Sequence, residues 1–125
     1  GTGGALMGTL DGLNLKGNFP HVVALEPSQS PLLTEGFGGP HYVEGVGVGF
    51  YPPFLDSRRV NQFLAVDQRE AFEMKKNLAK NHGIFCGTST GMNVVGALKL
   101  ARKMSPNENI VTFGCDSGLK YLNGG

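Results

Sequence analysis

Apolar residues recur with two different periods along this 125-residue chain. At its start Ala5, Leu6, Met7, Leu10 and Leu13 fall at helical offsets, which predicts a helix running from a glycine cluster toward Leu13. Gly8 and Gly12 weaken that helix, and the turn-forming run Gly17-Asn18-Phe19-Pro20 ends it. Residues 21–27 then read as a short buried strand stopped by Pro27, with His21 a solvated residue at its mouth. Residues 28–39 are polar and carry Pro and Gly, the mark of a surface loop. In residues 44–50 glycine alternates with other residues, as in a strand whose bare face lets a flat ligand or another backbone approach, or in a bulged strand with no such role. The Pro52-Pro53-Phe54-Leu55-Asp56 run reads as a short helical turn.

The second half is more regular. Gln62-Phe63-Leu64-Ala65-Val66 is a strand candidate, and Asp67 with Glu70 forms an analogue of the capping box that opens a helix. Ala71, Met74, Leu78 and Ala79 form its apolar stripe, Lys75, Lys76 and Lys80 lie toward its C-terminal end, and Gly83 closes it. The short apolar run Ile84-Phe85-Cys86 leads into Gly87-Thr88-Ser89-Thr90-Gly91, which opens a helix with Val94, Val95, Ala97, Leu98 and Ala101 in register. A turn at residues 105–109 precedes a last strand over residues 110–115, and Asp116 and Ser117 cap a short final segment. Strands that are apolar throughout, interleaved with amphipathic helices, predict an α/β layered domain with a largely parallel sheet. Ligands of such sheets sit at strand-to-helix junctions.

Composition narrows the function classes. A formal charge of +1, with no basic run interleaved with aromatics and no Trp, gives no basis for nucleic-acid or anionic-membrane binding. No stretch is apolar enough to span a bilayer, no signal peptide is expected, and a cytoplasmic protein is the reading. Cys86 and Cys115 lack any metal-ligand spacing, so we expect no metal site and two buried thiols acting as small hydrophobes in a reducing compartment. Neither can be matched from sequence to a histidine partner among His21, His41 and His82, which leaves a Cys-nucleophile enzyme unsupported. The 20 glycines concentrate in loops at element ends, which suggests a site lined by backbone.

The first such loop is Gly1-Thr2-Gly3-Gly4-Ala5. A glycine cluster feeding a helix leaves N–H groups bare at the positive end of the dipole, which makes an anion cradle, and Thr2 adds a hydroxyl. Read alone it could equally be a tight turn with no ligand. The second is Gly87–Gly91, where an N-cap role accounts for one of the three hydroxyls of Thr88, Ser89 and Thr90 and leaves two unexplained.

Four segments together carry a resemblance: Gly-Thr-Gly-Gly at residues 1–4, Glu-Gly-Val-Gly-Val-Gly-Phe at 44–50, Gly-Thr-Ser-Thr-Gly at 87–91 and Cys-Asp-Ser-Gly-Leu-Lys-Tyr-Leu at 115–122. In this order and spacing the chain resembles the cysteine synthase (O-acetylserine sulfhydrylase) and cystathionine β-synthase family of fold-type II enzymes dependent on pyridoxal 5′-phosphate (PLP). The resemblance implies a layered α/β/α fold like that of the tryptophan synthase β subunit, present as a partial domain. It implies that Gly1, Thr2, Gly3, Gly4 and the backbone of Ala5 hold the cofactor phosphate. Ala5 stands where the family usually has Thr, which removes a donor. Ser89 matches the serine that meets the ring nitrogen, and a hydroxyl there, where some dehydratase relatives have Cys, favours β-replacement. Gly45, Val46 and Gly47 match the loop beside the cofactor ring and the amino-acid substrate. A homodimer is implied for the full-length protein.

Two parts of the family pattern have no counterpart here. The Schiff-base lysine and the asparagine loop for the substrate carboxylate lie upstream of the glycine loop in the family, and Lys16, Lys75, Lys76, Lys80, Lys99, Lys103 and Lys120 occupy no equivalent motif. Lys120 stands beside Tyr121 where Arg is commoner. Residues 1–125 are therefore expected to be the C-terminal part of the PLP-binding domain, without the lysine-bearing N-terminal part and inactive alone. The reaction implied is O-acetylserine plus sulfide giving cysteine plus acetate. The alternatives are a cystathionine β-synthase-like activity and a non-catalytic paralogue that keeps the phosphate loop.

Overall fold

The computed structural model describes residues 3–43, 45–46 and 51–122. Helix α1 spans Gly4–Leu15, β1 Val23–Pro27, α2 Leu32–Glu35, β2 Gln62–Val66, α3 Gln68–His82 and α4 Thr88–Ala101, with single 3-10 turns at Ser57–Arg59 and Gly118–Tyr121. The two strands pair in parallel, Val23 opposite Gln62 through to Pro27 opposite Val66. This is a partial α/β domain with a parallel sheet.

Two apolar clusters hold the elements. In the first, Val43, Val66, Ala71, Met92 and Val95 are buried, with Leu25, Val46 and Met74 packed against them. The second joins Met7 and Leu10 of α1 to Val22, flanked by Leu6, Leu55 and Val60. Strand β1 bridges the two, since Val22 just ahead of it serves one cluster and Leu25 within it serves the other. Helices α3 and α4 pack backbone to backbone: a Cβ added to Gly91 would overlap the Ala71 carbonyl oxygen and lie 3.1 Å from the Lys75 nitrogen. The buried face of α4 is thus set by Thr88–Met92, Val95 and Gly96, whereas Leu98 is 45% exposed. On α3, Ala71 and Leu78 are buried as expected, but Ala79 faces solvent.

The caps explain where the helices begin. Asp67 accepts from Arg69 N at 2.7 Å, while Gln68 N is taken by Gln29 Oε1 at 3.1 Å. Glu70 pairs with Lys99 of α4 at 3.2 Å, so among the described residues Asp67 caps alone and the expected box is half present. Gly83 ends α3 at φ +67°, the left-handed conformation that favours glycine. Helix α2 lies inside residues read as loop. Its cause is Glu26, 4% exposed, whose two carboxylate oxygens accept from Leu33 N at 2.8 Å and Thr34 N at 2.7 Å. A carboxylate on a strand thereby supplies acceptors at a helix start.

The strand expected over residues 110–115 does not form. Val111 is 86% exposed and Ile110 and Phe113 are 37% and 43% exposed. A strand needs a partner, and residues 110–115 pair with neither open edge of the β1–β2 sheet. The apolar run of residues 84–86 likewise contributes only the antiparallel bridge between Cys86 and Ser117. In the Pro52–Asp56 run, Leu55 N bonds Pro52 O at 3.1 Å, and the 3-10 turn begins one residue later, capped by Asp56.

Candidate functional site

Of the first glycine loop, Gly1 and Thr2 lie outside the described residues. Gly3 is the N-cap of α1 at φ +87°, and a Cβ there would lie 2.9 Å from Leu55 N. Both the handedness and the close approach of the Pro52–Asp56 turn require glycine at this position. The first helical bond runs from Met7 N to Gly3 O at 3.0 Å. The amides of Ala5 and Leu6 lie ahead of it, where an α-helix leaves its donors unsatisfied. Gly4 and Ala5 are exposed. The loop therefore presents main-chain donors at a positive helix end, which suits a phosphate.

The second loop is built differently. Gly87 is the N-cap of α4 in extended conformation and no side chain caps the helix, so the expected Ser/Thr cap is absent. Thr88, Ser89 and Thr90 are instead buried, at 6%, 6% and 4% exposure. Thr90 Oγ1 accepts from Cys115 N at 3.0 Å, and the carboxylate of Asp116 accepts from Gly87 N at 3.2 Å. Gly118 N donates to Phe85 O at 3.0 Å and Asn93 Nδ2 to Phe113 O at 3.0 Å. The hydroxyl of Ser89 has no hydrogen-bond partner among the described residues, and yet no side-chain oxygen there is both sealed from solvent and unpaired. Among the described residues the hydroxyls of Thr88 and Ser89 are both unclaimed, and Ser89 is the one that stands at the family's ring-nitrogen position. Such a group fits an aromatic ring nitrogen, which needs one hydrogen-bonding partner in an apolar surround.

In the third loop Gly45 has φ +76° and open space where a Cβ would stand, and Val46 packs onto the cluster that holds Met92 and Val95 of α4. Gly47, with Glu44 and residues 48–50, lies outside the described residues. Val46 and the helix bearing Ser89 are therefore fixed by one cluster, while Gly3, Gly4 and Ala5 ride on α1 and the other.

Both cysteines are free. Cys86 is buried, and desolvation, followed by the charge of Asp116, pushes its thiol above the ordinary range. Cys115 is exposed rather than buried as expected, because the run leading to it has no sheet to join. Among the described residues no three His, Cys, Asp or Glu side chains gather to hold a metal. No helix there is long and apolar enough to cross a membrane. A groove between α3 and α4 is lined by Glu70, Met74, Asn77, Lys99 and Arg102, and no glycine-loop residue reaches it. The role of Asp116 was not evident in the sequence, where Asp-Ser reads as a helix cap; Ser117 does cap the last turn, accepting from Leu119 N at 3.2 Å.

Comparison with known proteins gives one consistent picture. Residues 1–116 match the family described as pyridoxal-phosphate dependent enzyme. The chain is 36% identical over 124 residues to a cysteine synthase of Staphylococcus aureus, covering 98% of this chain and 39% of that protein. It superposes with TM-score 0.90 and 30% identity on the crystal structure of cysteine synthase from Entamoeba histolytica, over 99% of this chain and 37% of that one. An O-ureido-L-serine synthase with O-ureido-L-serine bound is as similar in fold, with TM-score 0.90 and 33% identity over 98% of this chain and 38% of that one. The chain spans about 39% of the length of the curated relatives it matches.

Proposed function

Since the chain belongs to the pyridoxal-phosphate dependent enzyme family, we propose that it forms the C-terminal, cofactor-holding part of a cysteine-synthase-like enzyme. The reaction breaks the Cβ–O bond of O-acetylserine, releases acetate and forms a Cβ–S bond to sulfide. When bound, PLP supplies an aldehyde for a lysine and a ring that withdraws electrons from the substrate. Gly1, Thr2, Gly3, Gly4 and the Ala5 amide take the phosphate, with donors that need no side chain to close on it. Ser89 donates its Oγ–H to the ring nitrogen. A neutral hydroxyl leaves that nitrogen largely unprotonated, which tempers electron withdrawal and suits elimination followed by addition. Gly45, Val46 and Gly47 border the substrate.

The observation that carries this reading is Ser89: buried, without a hydrogen-bond partner among the described residues, and at the position matching the family's ring-nitrogen serine. The lysine comes from outside the 125 residues. Among those present, Lys99 is engaged with Glu70, Lys76 with Glu73, and Lys75 stands 5.8 Å over the Phe72 ring. The complete enzyme would be a cytoplasmic homodimer acting on a small amino acid. The choice of sulfide as nucleophile follows the two cysteine synthases, since an O-ureido-L-serine synthase shares the fold.

The test is intact mass of the native polypeptide carrying this sequence after borohydride reduction with PLP present. One reduced adduct on a lysine outside residues 1–125 is the expected result, followed by cysteine formation from O-acetylserine and sulfide. A native polypeptide that takes up no adduct would sink the proposal and leave a phosphate-binding module.

A further inference from the structure

The segment of residues 113–117, with Gly118 at the head of the last 3-10 turn, runs beside the start of α4 without forming a strand. Five hydrogen bonds tie the two together. Asn93 Nδ2 donates to Phe113 O, Cys115 N to Thr90 Oγ1, Asn93 Nδ2 to Cys115 Sγ at 3.4 Å, Gly87 N to Asp116 Oδ1, and Gly118 N to Phe85 O. They fall on Phe85, Gly87, Thr90 and Asn93, so they flank Ser89 on both sides and leave its own hydroxyl unused. Gly118 allows the closest part of this contact, since a Cβ there would lie 2.7 Å from the Phe85 ring and 3.0 Å from Cys86 O.

The N-cap position of α4 makes this contact informative. Gly87 has no side chain to cap the helix, and its own N–H points away from the helix to the Asp116 carboxylate. A glycine N-cap is free to rotate, and with it the direction of the first turn. The carboxylate removes that freedom with a charge-assisted bond, and Thr90 removes it from the other end of the turn.

We propose that Asp116 is a positioning residue: by holding Gly87 N–H while Thr90 holds Cys115 N–H, it sets the direction of the Ser89 hydroxyl toward the cofactor ring. The proposal rests on the family reading given above for the ring itself. In this role the carboxylate acts through the Gly87 backbone N–H, not by contact with the ring. The negative charge also bears on Cys86, whose thiol it helps to keep protonated beside the loop.

The experiment uses the native full-length protein and five variants: Asp116→Ala, Asp116→Asn, which keeps an oxygen acceptor, Thr90→Val, which cuts the second tie without altering charge, Ser89→Ala, and the Ser89→Ala, Asp116→Ala pair. Asp116→Ala is expected to speed amide exchange at Gly87 by about tenfold, the loss of roughly one hydrogen bond, with Asp116→Asn recovering most of the protection. It should move the absorbance band of bound PLP in the direction that Ser89→Ala moves it, and the Ser89→Ala, Asp116→Ala pair should move it no further than Ser89→Ala alone. Unchanged exchange, an unmoved band, or additive shifts would each overturn the proposal. If Asp116→Ala fails to fold, Thr90→Val decides by the same readouts. If the parent protein shows no PLP band, the family reading fails separately. The side-chain rotamer of Ser89, read by NMR couplings, then decides the brace: averaging in Asp116→Ala supports it and an unchanged single rotamer overturns it.

Discussion

The two glycine loops do similar structural work with opposite construction. The loop at Gly3 opens onto exposed residues, fixed by one left-handed glycine and its contact with Leu55. The loop at Gly87 is buried, has an extended glycine at its cap, and is tied by side chains and backbone from residues 113–118. Main-chain donors that receive an anion need openness and the right handedness, and little else. A side-chain hydroxyl that must meet one atom needs its backbone immobilised, which takes partners from distant sequence. The first kind of loop is cheap to encode locally. The second requires tertiary structure.

The largest break in this comparison should come from Gly91→Ala. Its Cβ would overlap the Ala71 carbonyl, so α3 and α4 must move apart, at a cost of about 2–3 kcal/mol read from the urea midpoint. Next is Gly3→Ala, where the left-handed φ costs about 1–2 kcal/mol and the new Cβ presses on Leu55 N. Fluorescence titration with PLP should show weaker binding than the stability loss alone accounts for, because the start of α1 shifts. Equal loss in a phosphate-free stability assay and in binding would show that this loop only supports the fold.

A smaller effect separates the two thiols that border the second loop. Cys115 should react with a thiol reagent at least about tenfold faster than Cys86, since one is exposed and the other buried with its thiol shifted upward. Comparable rates would show that the contact around Cys86 opens readily. The same shift has a pH signature. Because the folded-state pKa lies above the unfolded value, the stability tied to the neutral Cys86 thiol is complete below the unfolded pKa of about 8.5 and declines as pH rises through the folded one. Cys86→Ala should flatten that alkaline decline in a denaturation series.

The smallest effect is acidic. Asp56 sits below the usual carboxylate range chiefly through its hydrogen-bonded Arg58 side chain, and Asp67 through the Arg69 amide. A lowered folded pKa contributes stability above the unfolded value of about 3.9, and that stability is lost as pH falls through the folded pKa. Asp56→Asn, which keeps a cap acceptor, should reduce the acid slope of the denaturation midpoint. Both carboxylates are half-buried, but their arginine partners are exposed and the pairs are screened, so the change should be slight.

Local pattern made much of the fold legible. The period of Leu6, Met7, Leu10 and Leu13, the apolar runs ending at Pro27 and Val66, the stop at Gly83 and the cap at Ser117 all appear where local chemistry places them. The misses share one cause, a partner far away in sequence. Glu26 makes helix α2 from within an apolar strand, and nothing in residues 28–39 announces it. Residues 110–115 have strand composition, but a strand is a paired object and its exposed Val111 has no neighbour to pair with among the described residues. Cys115 is exposed for the same reason.

The candidate site divides along the same line. The sequence alone determined the glycine spacing, the hydroxyl cluster and the family they belong to, because backbone permissiveness and functional-group chemistry are properties of the residues themselves. Only the tertiary structure decided which hydroxyl is used up. Thr90 is spent on Cys115 N, while Thr88 and Ser89 have no hydrogen-bond partner among the described residues, although the three are neighbours of nearly the same burial. That choice follows from the direction in which each side chain leaves a helix whose first turn is aimed by Asp116, more than two dozen residues downstream, and residue type does not encode direction.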